Sequence, residues 1–394
     1  MAATGDGPLT PAVPLQSRPR PAVGERPRRS AHATWVAVVA ALAATLSIGA
    51  GSARAQGPSD ADAGAHEQPA APPSDGFTRW VDLQTVTALA RFRYLETSQH
   101  VVTTRQVQDS VGLRARLKVD RRGRFSVTGA AGTGASFTSS WNNTGIGTGD
   151  AVHTMALKQL FLSAVPVDGV EVSYGGLAPA RGESTEITSY DNDGYLVGER
   201  VSVRRPQALF FNEISGTAAF LGDLETTNVF RRLDRLDQVN YGQILVSRKA
   251  TSWLTASADV TRASRASTVR AAASIAVHGP TAVDTIRYEQ YARTGRDGAF
   301  GFAVTAEKTP LPRLTLGLGY ADIDRLYGGL NGDRYNRGRR VFGTSTVRVS
   351  RELSLLVFAT QAFHNRVAIS NHTRFDIVLT YNALPTLKRA GLTR

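Results

Sequence analysis

From Trp80 to Tyr381 apolar residues recur at every second position. In SVGLRARLKVD, Val111, Leu113, Ala115, Leu117 and Val119 point one way, and Arg114, Arg116 and Lys118 point the other. Val269, Ile275 and Val277 oppose Arg270 and Ser274; Phe300, Phe302 and Val304 oppose Gly301, Ala303, Thr305 and Glu307. In HTRFDIVLTY, Phe375, Ile377, Leu379 and Tyr381 oppose Arg374, Asp376 and Thr380. A period of two places successive side chains on opposite faces of a strand. No segment sustains a helical period. The second face carries charges in mid-strand. A wall that is apolar on one side and charged on the other suits a closed barrel between hydrocarbon and a polar lumen.

Strands are predicted to begin near 80, 107, 124, 153, 169, 200, 209, 240, 252, 267, 284, 299, 313, 340, 353 and 371. An even count is expected, about 16 with 14 next, and two of the pairs around 169–211 read alternatively as kinked single strands. The fold class is thus all-β, a closed antiparallel transmembrane barrel. DRRGR at 120–124, SRKATS at 247–252, HGPT at 278–281, TGRDG at 294–298, KTPLP at 308–312 and SRE at 350–352 read as tight turns of one end. SWNNTGIGTGD at 140–150, LETTNVFRRLDRLDQ at 224–238 and DIDRLYGGLNGDRYNRGRR at 322–340 read as long loops of the other. Phe230, Leu233 and Leu236 have the spacing of a short helix. Trp80, Phe92, Tyr94, Phe125, Trp141, Trp253, Tyr320 and Tyr381 fall near segment ends, as interfacial aromatics do.

One stretch breaks the rhythm. Residues 175–206 carry Glu183, Glu186, Asp191, Asp193 and Glu199 in an otherwise basic chain. A long polar insertion between strands is a functional candidate. Residues 177–199 are expected to fold inward and narrow the lumen. DNDG at 191–194 invites a calcium loop, but Ser189 and Arg200 stand where ligands are required. Pairing of these acids with Arg181, Arg200, Arg204 and Arg205 is the preferred reading.

Ahead of the barrel, Arg26, Arg28 and Arg29 precede the uncharged run Trp35–Ala50, and Ala53 and Ala55 follow it. That order reads as a secretory signal peptide over 1–55, cleaved after Ala55. Residues 56–78 read as a Pro- and Ala-rich linker, 79–382 as the barrel and 383–394 as a tail. The absence of cysteine removes disulfides and thiolate metal sites. The net charge of +13 comes from 46 basic and 33 acidic residues, and Arg is spread along the chain. A nucleic-acid binder concentrates its basic residues on one face, so no nucleic-acid partner is expected. HExxH and GxSxG are absent, and neither catalytic residues, metal nor cofactor is expected.

The signal peptide, the alternating strands, the turn rhythm and the final strand FDIVLTY together resemble a Gram-negative outer-membrane porin-like protein over Trp80–Tyr381. The resemblance implies an outer-membrane location after secretory export, contacts with outer-membrane lipid and the barrel-insertion machinery, and passive passage of small solutes. Positive rings favour anions. Candidate lumen residues are Arg114, Arg116, Lys118, Arg204, Arg270, Arg348 and Arg374, opposed by Asp259, Glu289, Glu307 and Asp376. A plugged structural or adhesion barrel and a surface enzyme are the alternatives. The tail NALPTLKRAGLTR departs from the family habit of ending on an aromatic residue.

Overall fold

In the first strand, Ala88 and Ala90 are exposed while Arg91 and Arg93 are buried. The side with the charges is the inside. The computed structural model describes residues 76–134, 139–183, 195–204, 210–222, 226–263, 266–279, 281–294, 298–324, 338–363 and 371–393.

The strands are β1 (Val81–Glu96), β2 (Val102–Lys118), β3 (Phe125–Thr133), β4 (Asn142–Gly147), β5 (Met155–Val167) and β6 (Val170–Leu177). They continue as β7 (Leu196–Val203), β8 (Glu213–Phe220), β9 (Tyr241–Lys249), β10 (Leu254–Ala263), β11 (Ala266–Ala276) and β12 (Thr285–Thr294). The last are β13 (Ala299–Leu311), β14 (Leu314–Ile323), β15 (Gly338–Arg348), β16 (Leu353–Phe363) and β17 (Thr373–Asn382). β3 pairs directly with β5, and short β4 sits against the upper part of β2. β17 returns to β1, with Tyr94 opposite Phe375 and Thr87 opposite Asn382. Sixteen antiparallel strands therefore close the barrel, and β4 is an insertion that the sequence pattern missed. β6, β7 and β8 are separate strands, not kinked halves of one another.

The outer face is apolar and exposed: Leu113, Leu117, Ile244, Val260, Leu316 and Leu318. Such a face is satisfied by hydrocarbon and not by water. Among the described residues no helix is long and apolar enough to cross a membrane; crossing is the work of the strands.

The two ends differ. At the end where β1 begins and β17 stops, the terminus end, several turns are short: Asp168–Gly169 joins β5 to β6, and 312–313 joins β13 to β14. Exposed Trp80, Phe125, Trp253 and Tyr381 gather at this end. The far end carries the long connections. It also carries 295–298, so TGRDG belongs to the far end despite its shortness. Trp141 is not a girdle residue either; it packs inward over Arg91.

Two connections pack against the wall. Between β8 and β9, the predicted helix is realised as two 3-10 turns, Val229–Arg231 and Leu233–Arg235. Val229 is fully buried with Tyr195 and Val197 against Leu157 and Leu160. A Cβ at Gly176 would come within 2.1 Å of Val229 Cγ2, so the missing side chain is the notch that admits this loop. The C-terminal tail covers an edge. β17 stops opposite Thr87, leaving residues 81–86 of β1 without a strand partner on that side. The short helix α1 (Leu384–Arg389) turns the chain back. Ala383 donates its N–H to Val86 O at 2.8 Å. Thr393 Oγ1 accepts from Leu83 N–H at 3.2 Å and donates to Leu83 O at 3.4 Å. An open strand edge is a pairing hazard, and the tail removes it.

Candidate permeation path

Period-two alternation sends one polar residue in two toward the lumen, and cross-strand register stacks them into a basic wall. On β1, Arg93 Nε donates to Asp376 Oδ1 of β17 at 3.0 Å. Arg374 shares the same carboxylate, its Nη2 lying 2.5 Å from Asp376 Oδ2. Its guanidinium sits 5.1 Å from the Phe358 ring. Arg91 Nε donates to Gln108 Oε1 at 2.9 Å, and its guanidinium lies 3.8 Å from the Trp141 ring. Arg340 of β15 is fully buried, with Nη2 donating to Asn371 Oδ1 at 3.4 Å. Arg93 and Arg374 thus share Asp376, with Arg91 and Arg340 on the same inner face between β15 and β1. Ion-assisted and cation–π contacts hold them in place, and Asp376 offsets one of the four charges.

β10 lies eight strands away around the ring. There acids are more evenly matched, with Asp259 and Glu289 on the face that carries Arg270, Arg287 and Arg293. Arg270 of β11 grips Asp259 at 2.6 Å and also donates to Thr261. Glu289 is buried on the neighbouring β12.

The polar insertion after β6 begins on this second wall. Ala178 O accepts from Arg200 Nη2 at 2.5 Å and Ala180 O from Gln243 Nε2 at 3.1 Å. Glu183 N–H donates to Ser257 Oγ at 2.7 Å. A Cβ on Gly182 would meet Ser257 at 2.4 Å, so only a glycine passes this close. Arg200, Gln243 and Ser257 all face inward. The segment 178–183 therefore runs along the inner wall from β7 to β10. Burial pushes the Glu183 carboxyl up from the usual range, and the Arg287 charge opposes that only in part.

The other predicted residues are distributed as follows. Arg114 faces inward, donating to Gln84 at 3.0 Å and Gln159 at 3.3 Å. Arg116 donates to Ser126 Oγ at 2.9 Å, with Lys118 on the same face. Arg204 joins Glu171 and Glu213 at 3.2 and 3.1 Å near the terminus end. Arg348 has the inward parity but is exposed at the rim, outside any narrow zone. Glu199 is a correction. It lies within β7, exposed on the outer face between Val197 and Val201, and does not belong to the inward segment. Glu307 is half-buried opposite Thr285 and Gly317. Glu186, Asp191 and Asp193 lie outside the described residues.

Arg91, Arg93 and Arg340 are lumen residues that the sequence reading passed over. Arg91 and Arg93 alternate with Ala90, Phe92 and Tyr94, so the period-two signal was present. Arg340 follows a Gly- and Arg-rich run that reads as loop.

No family model and no curated protein matches the sequence. Solved structures do match the fold. OmpF of Salmonella typhi, in a complex with daunomycin, is 10% identical with a TM-score of 0.52, over 77% of this chain and 98% of that one. A triple mutant of the Rhodopseudomonas blastica porin is likewise 10% identical with a TM-score of 0.50, over 77% and 99%. At such identity the likeness is one of fold: the chain has the 16-stranded fold of the outer-membrane porins.

Proposed function

We propose that the protein is a porin-like channel of the Gram-negative outer membrane, reached by secretory export, that passes small solutes passively and prefers anions. It is read as a channel and not as an enzyme. The observation that carries this is the unequal charge of the two lumen walls. Four guanidiniums against Asp376 stand on one side. On the other, the inward segment and the Arg270–Asp259 pair stand close to neutral. Charge fixed on one wall of a low-dielectric passage attracts the opposite ion. The segment 178–183 narrows the path, anchored through Ser257, with Glu183 beside it.

Planar-bilayer recording tests this. Under a salt gradient the reversal potential is expected to favour chloride. Arg91→Gln with Arg340→Gln removes two charges from this wall while leaving the Arg93–Asp376–Arg374 cluster intact. That variant is expected to move the potential toward cations. Inserted protein with no conductance would instead mean a plugged barrel.

A further inference from the structure

The two rims of the barrel carry different charge. In the described parts of the seven terminus-end turns and the tail, eight Lys or Arg stand against four Asp or Glu. In the described parts of the far-end connections, four stand against five. Three of the terminus-end acids are already engaged. Asp120 accepts the N–H of Phe125 and of Arg122, Asp284 holds Lys308 at 2.7 Å, and Glu352 holds Arg389 at 2.5 Å.

The basic residues alternate with exposed apolar ones. Arg121, Arg122 and Arg124 sit beside Val119 and Phe125, Arg313 beside Leu311, and Arg351 beside Val349. All five arginines are exposed. Guanidiniums directly beyond an apolar band reach the level of lipid phosphates, with the apolar neighbours still in hydrocarbon. A soluble anionic partner would need no such interleaving.

We infer that this rim binds the phosphate groups of anionic lipids in the leaflet at the terminus end, so that the barrel gathers such lipids around that end alone. The inference rests on the barrel reading, and its test separates the two. Trp80 and Trp253 are exposed at the same end and report on the lipids there. Full-length protein would be reconstituted in phosphatidylcholine vesicles containing a minor share of brominated phosphatidylglycerol or, in parallel, brominated phosphatidylcholine. Tryptophan quenching by the brominated anionic lipid is expected to be about threefold the stronger. Replacing Arg121, Arg122, Arg124, Arg313 and Arg351 together with Ser is expected to equalise the two lipids, with the heat-shifted gel band and the conductance unchanged. If the variant fails to fold, the parent protein still decides: about 0.5 M salt is expected to abolish the preference by screening. Equal quenching in the parent, or a preference indifferent to salt, overturns the inference. Loss of the heat-shifted band in the parent would strike at the barrel itself.

Discussion

The inner and outer faces of the same strands make an inverted pair. On β17, Asp376 is buried and bound by two guanidiniums, while Leu379 and Tyr381 are exposed. On β14, Ala321 is buried and Leu318 is 68% exposed. A water-soluble sandwich would reverse both. The comparison teaches that each strand reports its surroundings through which parity is charged. Inside, an ion pair matters because each buried member satisfies the other; outside, a charge matters because hydrocarbon offers no partner.

The sharpest way to break the contrast is to strand a charge on the inner face. Asp376→Ala leaves Arg93 and Arg374 buried without their shared acid. Removing one member of a buried pair costs about 3–5 kcal/mol, and the urea midpoint in detergent is expected to fall accordingly. Asp376→Asn is expected to cost less, because it keeps an acceptor. On the outer face, Leu318→Arg puts a guanidinium in hydrocarbon at about 2–4 kcal/mol. Its insertion yield in vesicles should drop, whereas Leu318→Phe should insert normally. A smaller effect is expected where the sheet meets the tail. Thr393→Val removes both bonds to Leu83, worth about 1 kcal/mol each, and heat-shift gels should show unfolding at slightly lower temperature.

The smallest effect is electrostatic. The Glu183 carboxyl is pushed up by burial, so it takes its proton at a higher pH than a free glutamate. A raised acid favours the neutral form, and any stability tied to that form is present at low pH and lost as pH rises through the raised value. Anion preference is therefore expected to strengthen as pH falls, beginning above 4.5. Reversal potentials recorded across pH should show this, and Glu183→Gln should flatten the curve.

Much of the barrel was legible because burial on one face and charge on the other impose an unbroken period. Most predicted strand starts lie within a few residues of the observed ones; β2 and β7 begin earlier, at Val102 and Leu196. Which end a turn occupies was less legible. Turn chemistry sets length, whereas the end is fixed by counting strands, and TGRDG is short at the long-loop end. Glu199 was misplaced because an acid next to a polar insertion reads as part of it. Gly198 and Glu199 interrupt the apolar pattern, though Leu196 has already opened the strand. Trp141 looked interfacial because its attachment to Arg91 is a contact between distant segments. The pairing of Arg91, Arg93, Arg340 and Arg374 into one wall needs the closed ring, since β1 meets β17 only after the whole sheet is laid down.

The tail adds an order of events to this geometry. Thr393 meets Leu83 across 310 positions of sequence. Its place exists only once β17 has docked on β1, and that seam joins segments from opposite ends of the chain. Contacts of such separation form late, after the loop entropy has been overcome. Residues 383–393 can therefore take their place against β1 only after that seam has closed.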